Sequence, residues 1–290
     1  MRALAICLSL LAAVALAFGA QLQNDSVSKH DRNAEEKQKL GIRQVLSLFA
    51  KPKWLSGMSL LFLGGGLQIT AISLAPLIVV QPLGGIALVI TALLNARVTK
   101  TRITGSAWFA MSLCTFGIGT FVVAASFVAD EVRLNDGNLL QILGVLGIIV
   151  VVFGVLFFTI GQKFKALAFI LGAGVLYGFV ASLIKAVVQR IAQQDFNLLT
   201  FLCVLVTVAA LLLGAWFVQN AYASGPPDLV IAGLTVIDPM VAVSVGVVIL
   251  GEAQKADALT LSVFVATGLI AVIGVWLLSK VHPELADVKK

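Results

Sequence analysis

Asp238 and Pro239 stand side by side near the middle of an apolar run from Asp228 to Leu250, and they set the chemistry open to this chain. The run is close to the ~20 residues a helix needs to cross a bilayer core. A carboxylate at that depth costs at least ~2.5–3.5 kcal/mol on insertion scales. A proline in a helix interior removes one backbone hydrogen bond and clashes with the carbonyl four residues earlier. Both features are tolerated where neighbouring helices or a wet cavity compensate. Asp238 can therefore bind a cation or exchange a proton, as intramembrane acids commonly do. The plainer alternative is an acid that only bonds backbone groups freed by the kink. The first half of the chain carries a milder counterpart, Gln81-Pro82, also inside an apolar run.

Other polar groups fall in similar places. Gln81 can offer a neutral donor and acceptor to a substrate, or make an interhelical hydrogen bond worth ~0.6–2 kcal/mol. Pro82 and Pro239 expose carbonyls that can line a cavity, or serve as kinks alone. Thr235 lies one helical turn before Pro239 and adds an oxygen. Gln68, Thr70 and Ser73 in one span, and Gln219, Asn220 and Tyr222 in another, either line a path or hold helices together. Lys185 can pair with Asp238 or touch an anionic substrate, although snorkelling to the surface is the simpler expectation. Glu252 and Asn95 stand at span ends, where the expectation is a side chain reaching interfacial water. Trp216 and Phe217 suit either a wall for an organic substrate or lipid-facing packing. Gly64-Gly65-Gly66 and Gly172, Gly174 and Gly178 point to close helix approach.

The elements that must position these residues follow from composition. The chain is 60% hydrophobic and only 12% charged, against about 25% charged in a soluble protein. It must be an all-α, polytopic membrane helix bundle, because its apolar segments lack the strict alternation of barrel strands. Spans are expected at 3–22, 54–74, 76–97, 106–128, 138–160, 165–188, 199–222, 228–250 and 259–279, nine in all. Ala75-Pro76 leaves room only for a tight hairpin between the second and third.

The first span also fits a signal peptide cut after Ala15-Leu16-Ala17. Cleavage would strand the seven Lys/Arg of residues 23–53 outside, so a retained helix is expected. Within that loop Ile42, Val45, Leu46 and Phe49 follow i, i+3, i+4, i+7 spacing, which suggests a short interfacial helix ended by Pro52, with Trp54 at the interface. With the N-terminus outside and the C-terminus cytoplasmic, 15 Lys/Arg face inward and five outward. That bias predicts a multi-pass protein of the plasma (cell inner) membrane in this orientation.

The net charge of +6 comes from basic residues between apolar segments. They are expected to meet lipid headgroups, with no nucleic acid as partner. Cys7, Cys114 and Cys203 read as small buried hydrophobes, and His30 and His282 lie in loops or tails. No Gly-x-x-x-x-Gly-Lys-Ser/Thr, His-Glu-x-x-His or Cys-x-x-Cys motif occurs. The expectation is no cofactor and no enzymatic activity.

Sliding the chain over itself by 157 residues aligns Pro82 with Pro239, Asn95 with Glu252 and Gly117 with Gly274. The simplest division is a first four-span unit (1–128), a connecting span (138–160), a second four-span unit (165–280) and a cytoplasmic tail (281–290). An odd number of spans before the second unit inverts it relative to the first, as in many secondary transporters.

The sequence resembles the drug/metabolite transporter superfamily, EamA-like, close to its NIPA-like magnesium transporter branch. The residues that carry the resemblance are Lys51-Pro52-Lys53-Trp54 with Gly57, and Ala75-Pro76-Leu77 through Val80-Gln81-Pro82-Leu83-Gly84. In the second half they are Ala221-Tyr222-Ala223-Ser224-Gly225-Pro226 through Asp238-Pro239, then Gly251-Glu252, Gly268 and Gly274. The resemblance covers most of the chain, and each local motif is loose. It implies a permease moving a small metabolite or drug-like compound by alternating access, its pathway near Gln81, Pro82, Asp238 and Pro239. The alternative it implies is a magnesium or other divalent cation transporter. Each four-span unit also looks like a small multidrug resistance subunit; such subunits pair as dimers, and the fused inverted repeats remove that particular need, so a homo-oligomer stays an open alternative. The chain departs from the pattern at Asn95, where the family often shows Glu, and in having nine spans where many relatives have ten.

Overall fold

The computed structural model describes residues 1–31, 52–99, 102–157, 159 and 165–281. The expected interfacial helix at 42–49, His282 and the tail lie outside the described residues.

Helices α1 (Arg2–Asp31), α2 (Pro52–Leu74) and α3 (Leu77–Val80) come first, followed by a 3-10 turn (Gln81–Gly85). Then follow α4 (Ile86–Thr99), α5 (Gly105–Val128), α6 (Asp136–Leu156), α7 (Lys165–Ala192), α8 (Leu198–Ser224), α9 (Pro227–Val248) and α10 (Ala258–Val281). α3, the turn and α4 together form one span, Leu77–Val98, and the described residues contain nine helical spans long and apolar enough to cross a membrane. The protein is an all-α, multi-pass integral membrane protein. α1 continues to Asp31, so the basic connection begins later than residue 23 and His30 stands on a helix.

Local chemistry fixes the element ends. Asn135 and Asn138 form a reciprocal capping box at the start of α6, Thr104 caps α5 and Asn197 caps α8. α3 and α9 differ, since each starts after an extended proline, Pro76 or Pro226, that has no side-chain cap to offer. The proline in the third span breaks regular winding, and the helix tightens into the 3-10 turn there. Pro239 instead sits inside a continuous α9.

Small residues set the packing. A Cβ on Gly117 of α5 would come 2.5 Å from the Ala271 nitrogen, and one on Gly274 of α10 would come 2.4 Å from the Cys114 nitrogen. Cys114 and Ala271 are themselves 157 residues apart, so the α5–α10 contact is reciprocal at the same offset as the two prolines. α7 takes α9 in the same way, with Gly174 against Ile237 and Gly178 against Val241 and the Asp238 carbonyl. Gly64 likewise packs on Leu16 of α1, whereas Gly65 and Gly66 meet nothing.

Large apolar side chains such as Phe62, Phe127, Leu212 and Val248 are exposed, which suits a lipid-facing perimeter. Cys114 and Cys203 are buried as expected; Cys7 is exposed on that perimeter. Trp54, expected at the interface, is buried.

Candidate functional site

Five segments meet around a central cavity of about 520 Å³: α1, α2, the 3-10 turn, α7 and α9. Gln68, Gln81, Tyr177, Thr235, Asp238 and Pro239 supply its polar and kinked wall, and Leu16, Ile69, Ile72, Val180, Ile184 and Leu234 its apolar one. Among the described residues, no Lys, Arg or His lines it. A single acid therefore dominates its electrostatics.

The helices place that acid with little slack. Gly174 and Gly178 let α9 lie directly on α7, which fixes the backbone of Ile237 and Asp238. Pro239 cannot donate to the carbonyl four residues back, that of Thr235, and both residues face the cavity. The Thr235 hydroxyl is tied to the Ile231 carbonyl at 2.8 Å, so its lone pairs stay free to accept. Asp238 Oδ1 is buried and has no hydrogen-bond partner among the described residues. A buried, unpaired carboxylate oxygen is costly. A proton or the cationic group of a ligand would complete it.

Across the cavity, Ser9 Oγ lies 3.1 Å from Gln68 Oε1 and 3.4 Å from the Val80 carbonyl. One hydroxyl proton serves one acceptor at a time, so Ser9 couples Gln68 to the backbone just before the 3-10 turn. The Gln81 side chain is buried at the cavity edge.

Five of the ten expected pathway residues thus converge here: Asp238, Pro239, Gln81, Thr235 and Gln68. Pro82 lines an adjoining apolar space of about 110 Å³, shared with Thr235 and Pro239. Gln219 and Tyr222 do not reach either space; Tyr222 is 41% exposed on the perimeter of α8. Thr70, Ser73 and Asn220 bond carbonyls of their own helices. Trp216 and Phe217 join Phe153 and Phe157 around a separate apolar space of about 220 Å³. Tyr177 lies outside the expected set. The spacing of Tyr177, Val180, Ala181 and Ile184 (i, i+3, i+4, i+7) is the signal that marks this cavity-facing stripe.

Lys185 and Glu252 overturn the expectation of span-end side chains reaching water. They are 3% and 1% exposed, and Lys185 Nζ lies 3.3 Å from Glu252 Oε1. Lys185 does not pair with Asp238. Its Nζ donates to the Ala75 carbonyl at 2.8 Å. The Leu77 amide donates to Glu252 Oε1 (2.9 Å) and the Ile78 amide to Oε2 (3.0 Å). Glu252 is thus the cap that α3 lacks locally, at a helix end that favours negative charge. Gly251 makes this geometry, because its φ of +69° is a left-handed conformation that turns the chain back after α9.

The chain is 28% identical over 258 residues to an uncharacterized protein of Corynebacterium glutamicum, covering 86% of this chain and 85% of that one. No family model matches the chain. No solved structure matches it either.

Proposed function

We propose that this protein is a secondary transporter, an EamA-like permease of the drug/metabolite transporter superfamily, and not an enzyme. It carries a small metabolite or drug-like compound by alternating access around the Asp238 cavity. The observation that carries the reading is the unpartnered Asp238 oxygen in a cavity shared by helices of both halves. The mostly apolar wall and single acid suit a molecule with an apolar body and one group able to pair with a carboxylate. Asp238 then binds that group and a proton alternately.

The α5–α10 contact supports two inverted four-helix units. Gly117 meets Ala271 and Gly274 meets Cys114, the reciprocal pattern a two-fold axis produces. Alternating access in inverted-repeat carriers rocks one unit against the other around a fixed midplane site. The charge bias supports an N-terminus outside and a C-terminus in the cytoplasm.

The divalent cation reading is the rival. Asp238, Gln81, Gln68 and Thr235 offer hard oxygens in one place. Yet no group of three or more His, Cys, Asp or Glu side chains converges among the described residues, and Mg²⁺ held by one carboxylate would keep several waters. Proteoliposome uptake decides between them. An organic substrate whose uptake varies with pH in the parent and loses that dependence in Asp238→Asn supports the permease. Mg²⁺ uptake abolished by Asp238→Asn, with no organic substrate carried, supports the rival.

A further inference from the structure

We propose that Lys185, Glu252 and the first amides of α3 form a clasp that closes the Asp238 cavity on the face carrying Met1, and that this clasp parts when the cavity opens to that face. The inference rests on the carrier reading above and adds to it the contact that must break.

The clasp joins the two halves of the chain. Lys185 comes from α7 and Glu252 from the α9–α10 connection, while Ala75, Leu77 and Ile78 belong to the α2–α3 corner. Each half supplies groups the other needs. The corner has bare amides and a bare carbonyl; the opposite half has a carboxylate and an ammonium to fill them. Ile184, next to Lys185, and Ile72, three residues before Ala75, line the cavity immediately beneath. Gln81 lies one turn below Leu77 on the same span.

Stability alone explains this pair poorly. Burying two charges carries a desolvation cost that well-packed apolar residues would avoid. A polar clasp has a different use. When it parts, carbonyl, amides, ammonium and carboxylate can all be taken by water, so both the closed and the parted states are satisfied. An apolar seal of equal area would lose its burial on opening. A second contact tightens the closed state: a Cβ on Gly246 would come 2.5 Å from Glu252 Oε2, so the glycine makes room for the carboxylate. Outside the clasp, Asp130 pairs with Lys255 at 2.6 Å and Arg2 at 3.6 Å, and its amide donates to the Glu252 carbonyl. Those partners hold Glu252 from the solvent side without closing the cavity themselves.

The test reads access to the cavity from each face. Ala181 lines the cavity one turn below Lys185. Ala181→Cys is placed in a protein with Cys7, Cys114 and Cys203 replaced by Ala, and reconstituted in vesicles. The rate of labelling by a membrane-impermeant maleimide is measured from each side. The double variant Lys185→Met/Glu252→Gln removes both charges and keeps most of the packing. Labelling from the Met1 face is expected to rise about tenfold, and labelling from the other face to fall, a shift typical of a coupled two-state equilibrium. Equal labelling ratios with and without the double substitution would overturn the clasp. If the double variant does not fold, Glu252→Asp keeps the charge but draws it back from the α3 amides. The same one-sided rise is expected there, and its absence overturns the proposal equally. Should the Ala181→Cys protein with its clasp intact label from neither face, the carrier reading itself would fall, and the clasp with it.

Discussion

At the residue scale the molecule separates two acids that look alike in the sequence. Asp238 has an unpartnered oxygen on a cavity, whereas each Glu252 oxygen accepts from an α3 amide and Oε1 also lies beside Lys185. Their substitutions should therefore fail differently. Asp238→Asn removes a charge with no partner, so thermal stability should hold or rise while ligand effects vanish. Glu252→Ala leaves the α3 amides bare and takes from buried Lys185 its nearest carboxylate, with only the Ala75 carbonyl and Glu131 at 4.0 Å remaining. It should destabilise by about 3–5 kcal/mol, as breaking a buried pair does. Thermal unfolding in detergent of the two variants side by side checks the contrast. Asp257 is a third case, exposed in the turn before α10. Hydrogen bonds from the Thr260 hydroxyl and then the Thr260 amide hold its carboxyl below the usual carboxylate range. A lowered folded-state value means the cap contributes fully above the unfolded value of about 3.9 and is lost as pH falls through the folded one. Asp257→Asn should flatten that acid limb of the stability curve.

At the element scale, the α7–α9 contact decides where Asp238 sits. A Cβ on Gly178 would come 2.6 Å from Val241 Cβ and 2.8 Å from the Asp238 carbonyl. Gly178→Leu should push α9 away and cost at least ~1–3 kcal/mol of overpacking. Gly66→Ala is the control, because a Cβ there meets nothing within 4 Å. It should leave stability unchanged or raise it by up to ~1 kcal/mol, the usual helical gain over glycine. Much of this scale is legible in the sequence. Span positions follow from apolar length, and Asp238 near the middle of one span and Gln81 within the first turns of another stand out as polar groups needing a shared cavity. The partners across the bundle are not legible. Lys185 and Glu252 are 67 residues apart in the sequence, and each looks there like a span-end charge with water in reach. Only the left-handed turn at Gly251 and the uncapped start of α3 bring them together. Gln219 and Tyr222 fail for the converse reason: their polarity suggests a path, but α8 turns them to its perimeter.

At the scale of the whole molecule, two features join the halves: a reciprocal glycine contact between α5 and α10, and the buried cluster of Lys185 and Glu252 with the α2–α3 corner. The asymmetry within that frame is chemical. Gln81 and Asp238 hold corresponding places, as do Asn95 and Glu252, and in both cases the charge is on the second half. On the proposed reading, the ligand-binding charge and the clasp charges thus fall on one unit, and the other supplies neutral partners. In the proposed carrier, Asp238 holds the transported molecule. The direct measurement is thermal unfolding of the purified parent and Asp238→Asn against organic ammonium compounds, neutral metabolites and Mg²⁺. A saturable rise of several degrees in Tm is expected with at least one organic ammonium compound, as for a ligand that binds only the folded state, and none with it in Asp238→Asn. Equal shifts in both proteins, or a shift with Mg²⁺ alone, would contradict it.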